Sequence, residues 1–176
     1  RHRLLLQKTS KENMNFKMSS CDFSWKWEKV ISRSQIVSYQ ELLKQHQLEV
    51  SLKDEKLSPM IDISRHLSVE ILILKKENQA AGFCVLHNAG EDAVIFDGVY
   101  ILPEIRRQGY CMALLDYIES HYDKRNITFT APISKSLTIV VTKHLFRNES
   151  LRIKYWILTE NGDRLSFWIS TMNKCT

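Results

Sequence analysis

The sequence predicts an α/β fold of the α+β kind, in which a mixed central sheet of six to seven strands carries helices on both faces. Three observations predict it. Residues 69–102 alternate strand-like segments with short polar turns, as in an antiparallel meander. Residues 93–131 then read as strand, amphipathic helix and strand, a crossover length that makes the two strands parallel. Near the C-terminus, Asn161-Gly162 separates two alternating segments and indicates a hairpin.

The composition indicates one globular domain. The chain has 176 residues, 44% of them hydrophobic and 26% charged, which is ordinary for a globular protein. No stretch approaches the roughly 18 consecutive apolar residues of a membrane-spanning helix, and the apolar part of the N-terminus is too short for a secretory signal. The net charge of +5 suits an anionic cofactor. No long basic run is present, so specific nucleic-acid binding is not expected.

The four cysteines are scattered, and none forms a C-x-x-C pair. We therefore expect no metal site and no disulfide framework, but reduced thiols in a cytoplasmic or nuclear protein. Cys84 and Cys111 lie in apolar segments and are predicted to be small core residues.

The first 33 residues are polar and basic. They predict an irregular N-terminal extension ahead of a single domain that spans residues 34–176. Trp25 and Trp27 share one face of a short strand, either as a packing anchor or as a docking surface for a partner. Ser34 is predicted to cap a helix with apolar residues between 36 and 43, and Pro59 to stop a longer one.

The remaining elements follow from periodicity. Strands are predicted at residues 69–74, 80–86 and 93–102, with a bulge marked by Gly98. A helix follows Pro103, and residues 126–131 alternate as a strand. Residues 134–146 have helical spacing, but their β-branched run leaves a strand open. Residues 151–158 and 165–171 are predicted to be the two strands of the hairpin.

The most specific local signal lies at residues 103–112. Pro103 ends a strand, Arg106-Arg107-Gln108-Gly109 forms a basic turn, and a helix begins. Free amides at a helix N-terminus suit a diphosphate, because the aligned peptide dipoles place partial positive charge there. Gly109 lets the backbone approach the phosphate oxygens. This pattern predicts an acyl-coenzyme A or nucleotide site.

The element order and this turn together resemble the GCN5-related N-acetyltransferase (GNAT) superfamily over about residues 34–172. Arg106, Gly109 and Cys111 take the three positions of that family's Arg/Gln-x-x-Gly-x-Gly/Ala signature. More weakly, the Pro132 segment and the hairpin with Trp156 and Trp168 resemble the soluble lamin-associated protein family (family with sequence similarity 169).

The resemblance implies an acetyl-CoA (coenzyme A) site. The pantetheine arm would pair with the strand at Val99, Tyr100 and Ile101, and the Ile101 amide would polarise the thioester carbonyl. Arg106 would turn the loop and add positive charge. Cys111 is bulkier than the family's glycine or alanine, so weaker binding is expected. The pyrophosphate would lie on six consecutive amides, those of Arg107, Gln108, Gly109, Tyr110, Cys111 and Met112.

The implied activity is acetyl-CoA-dependent N-acyl transfer, by direct attack of an unidentified primary amine. Asp97 is the nearest general base, or alternatively a bulge-capping aspartate. His144 lies on an apolar helix face, as the proton donor to the leaving thiolate or as a core histidine. Weaker candidates are Glu91 and Asp92 for the base and Tyr110 and Tyr155 for the acid. The alternative function is a non-catalytic GNAT-like interaction module that docks a protein partner, in the nucleus, with little or no coenzyme A turnover.

Overall fold

The computed structural model describes residues 25–53, 69–122 and 125–174. Within them, seven strands form one sheet in sequence order. The elements are β1 (Lys26–Lys29), α1 (Arg33–Lys53), β2 (Val69–Lys76), β3 (Gln79–Asn88), β4 (Ala93–Ile101), α2 (Tyr110–His121), β5 (Asn126–Thr130), α3 (Lys135–Arg147), β6 (Tyr155–Leu158), β7 (Arg164–Ser166) and α4 (Phe167–Met172).

The sheet is mixed, as the sequence predicts. Strands β1 to β4 pair antiparallel in succession. The crossovers through α2 and α3 then place β4, β5 and β6 parallel, and β7 returns antiparallel to β6. The predicted meander, crossover and hairpin turn are therefore confirmed.

Helices cover both faces of the sheet, which is also as predicted. Tyr39 and Leu42 of α1 pack on one face against a cluster that includes Phe83 and Tyr100. On the opposite face, Leu114 of α2 and Leu145 of α3 belong to a larger buried cluster. Cys84 is fully buried there, as predicted, whereas Cys111 is only partly buried.

The segment predicted as an irregular extension contributes strand β1, the edge of the sheet next to β2. Trp27 of this strand is 7% exposed, and its indole Nε1 donates to the Tyr110 carbonyl at 2.8 Å. Trp27 is therefore a packing anchor, and its ring is not available to dock a partner. Residues 1–24 lie outside the described residues, so the proposed domain boundary at residue 34 stays a prediction.

The start of α1 differs from the prediction. Ser32, not Ser34, caps it: the Gln35 amide donates to Ser32 Oγ at 3.3 Å, and the Ser32 amide donates back to Gln35 Oε1 at 3.1 Å. This reciprocal pair is a capping box, and its glutamine is what distinguishes Ser32 from Ser34. The helix continues to Lys53; Pro59 lies outside the described residues.

Residues 134–146 form a helix. Ser134 Oγ caps α3 by accepting from the Leu137 amide, and the hydroxyls of Thr138 and Thr142 bond back to carbonyls one turn earlier, which fits β-branched threonines into a helix.

The prediction of strands at 151–158 and 165–171 was wrong in extent. Strand β6 begins only at Tyr155, and the chain leaves β7 after Ser166 to form α4. Ser166 Oγ caps α4 by accepting from the Ile169 amide, and Phe167 is fully buried.

Candidate active site

The parallel strands β4 and β5 separate partway along their length. Their pairing runs from Ala93 opposite Asn126 to Phe96 opposite Phe129 and ends there. Strand β4 continues to Ile101 along β3, while β5 continues along β6 on its other side. The second half of β4 therefore borders an opening, which we call the β4–β5 gap.

A β-bulge lies where the two strands part. Val85 pairs with Gly98 and Leu86 pairs with Phe96, so Asp97 is the extra residue on β4. A bulge sharpens the local twist and re-aims the strand. The bulge predicted from Gly98 is present, and the bulged residue is Asp97, directly before that glycine.

The register of β4 determines which backbone groups face the gap. The Leu102 amide donates to the Ala81 carbonyl of β3 at 2.8 Å. Because successive residues of a strand direct their amides to opposite sides, Ile101 and Val99 direct theirs toward the gap. Tyr100, predicted with them as a cofactor residue, turns its backbone to β3 and packs its ring against α1.

The loop after β4 leads into α2 with its amides uncovered. A single 3-10 turn over Pro103–Ile105 is followed by Arg107 at φ +62° and by Gly109 at φ +88°. Gly109 caps α2 without a side-chain hydrogen bond, and the first helical bond is from the Ala113 amide to the Gly109 carbonyl, 3.0 Å. Among the described residues, no acceptor takes the amides of residues 107–112.

We call residues 106–112 the amide loop. Its six amides are the ones predicted from the sequence, from Arg107 to Met112. They lie at the positive end of the α2 dipole, at the same end of the sheet as the unpaired edge of β4. An added Cβ on Gly109 would meet no atom of the described residues within 4 Å, so these residues leave the surface in front of the amides open.

The side chain of Arg106 does not face outward as free positive charge. Its Nε donates to the Ile101 carbonyl at 2.7 Å, and Nη1 and Nη2 donate to the two carboxylate oxygens of Glu49, each at 2.8 Å. Arg106 therefore links the loop to β4 and α1, and its charge is balanced by Glu49. Glu49 had no signal in the sequence, because the two residues are 57 positions apart.

Cys111 lies in the first turn of α2, where burial raises the pKa of its thiol to about 11. Burial likewise raises the pKa of Cys84. Both thiols are therefore protonated at neutral pH, and neither is activated as a nucleophile.

Asp97 meets a histidine on the α1 face of the sheet. Its Oδ2 is 3.5 Å from His87 Nε2 of β3, and the two side chains are 13% and 14% exposed. Burial and the nearby charge of Asp97 raise the pKa of Tyr39 on α1 to about 12. Sequence reasoning missed His87, whose place beside the bulge follows from the register of β3 against β4 and not from a motif.

His144 lies elsewhere. It is 3% exposed between α2 and α3, with Nδ1 3.9 Å from Asp116 Oδ1, and its ring is 5.9 Å from that of Tyr155. Tyr155 pairs with Ile127, which pairs with Val94, three residues before the bulge. Three strand residues span about 10 Å, so the structure separates His144 from Asp97 and from the amide loop. Burial lowers its pKa, as expected for a core histidine.

Three of the weaker candidates, Glu91, Asp92 and Tyr155, also lie apart from the gap. Glu91 and Asp92 lie in the exposed turn between β3 and β4, at the far end of the sheet. The Tyr155 hydroxyl donates to Glu119 Oε1 at 2.6 Å. The described residues contain no group of three or more histidine, cysteine or acidic side chains arranged to hold a metal ion. None of the helices in the described ranges has the length and apolarity to cross a membrane.

Comparisons with known proteins agree with this geometry. The model of the Acetyltransferase (GNAT) family matches residues 35–136, which include α1, the meander and the amide loop. A search of curated proteins gives no significant match.

Several solved acetyltransferases are similar in structure. A GNAT-family protein from Bacteroides thetaiotaomicron is 14% identical over 69% of this chain and 70% of its own, with a TM-score of 0.48. An acetyltransferase from Vibrio fischeri is 18% identical over 59% and 93%, with a TM-score of 0.45. AAC(6')-Iy, solved with a bisubstrate analogue, is 15% identical over 69% and 88%, with a TM-score of 0.48. Because these TM-scores are all below 0.5, the evidence for the chain's family is the match to the family model.

Proposed function

The chain belongs to the acetyltransferase (GNAT) family, and we propose that it is an acetyl-CoA-dependent N-acyltransferase that acetylates a primary amine by direct attack. The observation that carries the proposal is two neighbouring sets of backbone donors that have no acceptor among the described residues: the outward amides of Val99 and Ile101 on the edge of β4, and the amides of residues 107–112 in the amide loop. Coenzyme A would supply the activated acyl thioester. All other contributions come from this chain.

The chain's donors fit the two parts of such a ligand. The amides of residues 107–112 have no acceptor within the described part of the chain and lie at a helix N-terminus, which favours a diphosphate. The outward amides of Val99 and Ile101 can donate to an extended arm of amides, as in an added strand, while the Ile101 carbonyl already accepts from Arg106 Nε. The Ile101 amide is then placed to donate to an acyl oxygen as negative charge develops on it.

Asp97 is proposed to accept the proton of the attacking amine. It lies at the bulge where β4 leaves β5, and its carboxylate is held near His87 Nε2. A carboxylate here assists because only a neutral amine is nucleophilic. His87, the residue that the sequence did not indicate, is proposed to orient Asp97 and to share the proton.

No side chain of α3 (Lys135–Arg147) is proposed as the acid for the leaving thiol. The helix contains no tyrosine, and His144 lies away from the gap between α2 and α3. We expect solvent water to protonate the thiolate and turnover to be slow for this reason. The acceptor amine is not assigned.

Acetyl-CoA binding is the first test. At one hundred times its dissociation constant the ligand should raise the free energy of unfolding by about 2.7 kcal/mol, seen as a higher melting temperature. Thiol release over a panel of primary amines then tests turnover. A melting temperature unchanged by millimolar acetyl-CoA would refute the proposal and favour the non-catalytic interaction module. Binding without thiol release from any amine would leave a coenzyme-binding protein that is not a transferase.

A further inference from the structure

Glu49 forms an ion-pair cluster between α1 and the amide loop. Besides Arg106, its carboxylate accepts from Lys53 Nζ at 2.7 Å and from the Tyr100 hydroxyl at 3.1 Å. These donors, Arg106 foremost, lower the pKa of Glu49 to about 2. The side chains of Glu49 and Arg106 are only 21% and 36% exposed, so the pair is shielded more than an ordinary surface salt bridge.

The bond between Glu49 and Arg106 has the geometry that fixes orientation as well as distance. Nη1 donates to one carboxylate oxygen of Glu49 and Nη2 donates to the other. In this bidentate arrangement the guanidinium cannot rotate without losing a hydrogen bond. The third nitrogen, Nε, is bonded to the Ile101 carbonyl, and the guanidinium carbon lies 5.5 Å from the centre of the Tyr100 ring. Arg106 is therefore fixed to β4 and to α1 at once.

This anchoring lies at the junction of the two proposed parts of the coenzyme site. Ile101 is the last residue of β4, and Arg107, the first free amide of the loop, directly follows Arg106. Within the described ranges, the backbone of residues 103–109 donates two short-range hydrogen bonds before α2, from the Ile105 amide to the Leu102 carbonyl and from the Arg106 amide to the Pro103 carbonyl. The Trp27 indole fixes the far side, at the Tyr110 carbonyl. At the start of the loop, the Arg106 side chain connects the loop to α1 through Glu49.

We propose that Glu49 is a positioning residue for coenzyme binding, which acts by holding Arg106 so that the edge of β4 and the amide loop keep one relative arrangement. This inference depends on the proposed function. Glu49 does not touch the ligand in this account. Its effect is to preorganise the backbone donors, which lowers the ordering cost of binding.

The test compares Glu49→Gln with Glu41→Gln. Glu41 forms an exposed pair with Lys44 on the same helix, so its substitution controls for the loss of one negative charge on α1. We expect Glu49→Gln to raise the calorimetric dissociation constant of coenzyme A and the KM for acetyl-CoA about tenfold, with kcat changed less than about twofold. Glu41→Gln should leave all three at the wild-type values.

These measurements separate positioning from simple destabilisation. A variant that is only less stable would bind with a lower stoichiometry and a lower kcat at an unchanged dissociation constant, and that outcome would overturn the inference. If Glu49→Gln does not fold, Arg106→Lys decides, because lysine keeps the charge but not the two-pronged bond. An unchanged dissociation constant for that folded variant overturns the inference equally. If the wild type itself fails to bind coenzyme A, the proposed function falls, and this inference with it.

Discussion

Substituting Gly109 gives the most direct test of the amide loop. Gly109→Asp should weaken coenzyme A binding more than about a hundredfold and leave the protein folded. A left-handed backbone conformation costs an ordinary residue about 1–2 kcal/mol, and aspartate less. Gly109 has φ +88°, but none of the residues that the structure describes has an atom within 4 Å of an added Cβ. The strain is therefore not increased by a clash.

The effect on binding should be far larger than the effect on folding. A carboxylate about 5 Å from one phosphate charge, at an effective dielectric of about 20, is repelled by ~3 kcal/mol, which weakens binding more than about a hundredfold. At a concentration one hundred times the wild-type dissociation constant, the ligand stabilisation then falls from about 2.7 to about 0.4 kcal/mol. For a chain of this size that is a melting shift of roughly 5–11 °C reduced to about 1 °C.

Gly162→Asp is the matched control. Gly162 lies in the turn between β6 and β7 at φ +84°, and an added Cβ there also meets no atom within 4 Å. It places the same charge in the same backbone conformation, but in the hairpin turn. Thermal shifts of both variants with coenzyme A decide the matter. If Gly109→Asp keeps the full shift seen for Gly162→Asp, the diphosphate does not lie on these amides.

Three further predictions concern the titratable residues. Asp97→Asn should lower kcat for an accepted amine about 10²–10⁴-fold with the coenzyme dissociation constant unchanged, and Asp92→Asn in the β3–β4 turn should change neither; equal losses in the two would remove Asp97 as the base. Burial lowers the pKa of His144 below 6.5 in the folded protein, so the unfolded chain takes up the proton first and stability falls as the pH drops through that value. His144→Leu should flatten this fall in melting temperature and leave kcat unchanged, and a lost kcat would restore His144 as a catalytic candidate. Folding lowers the Glu49 pKa from 4.5 to about 2, so its contribution to stability is complete above pH 4.5 and is lost as the pH falls toward 2. The acid unfolding curve of Glu49→Gln should lack this loss of stability, and a curve identical to that of the wild type would contradict the ion pair.

The sequence predicts what local periodicity and turn chemistry determine. The meander, the crossover and α2 follow from alternation, glycine turns and a 3.6-residue repeat, and the free amides follow from the turn between Pro103 and Tyr110. The errors lie where two local patterns compete. Phe167 and Ile169 alternate as a strand would, yet the Ser166 hydroxyl caps the next turn and the chain becomes helical. Ser34 and Ser32 both precede a helical pattern, and only the Gln35 side chain selects Ser32.

The parts of the site that the sequence missed are all long-range. Glu49 is one of two acidic residues on α1, which carries no motif, and it becomes distinct only when folding brings Arg106 against it. His87 is likewise defined by the register that places it near Asp97. Helical spacing correctly places His144 on the apolar face of α3. The packing of α3 beside Tyr155 of β6, which the spacing does not predict, determines the surroundings of its ring. Periodicity predicts which face of a helix or strand is buried. It does not predict which strand residues that face contacts.

The departures from the family's side-chain pattern should affect coenzyme A binding little, because backbone amides are the proposed donors to the coenzyme. The β4–β5 pairing ends at Phe96, and the Gly109 cap of α2 supplies no side-chain acceptor, so both places leave amides without partners among the described residues. Such amides cost stability unless water or a ligand accepts from them. Here these costs fall in two neighbouring stretches, at Val99 and Ile101 on the edge of β4 and at residues 107–112 in the amide loop. Cys111 in place of glycine or alanine changes the contour of the amide loop without removing a donor. Arg106, by binding Glu49 instead of facing outward, gives up a charge but fixes the backbone that carries the donors. The rigidity of this backbone, more than the identity of any one side chain, should therefore determine the affinity for coenzyme A.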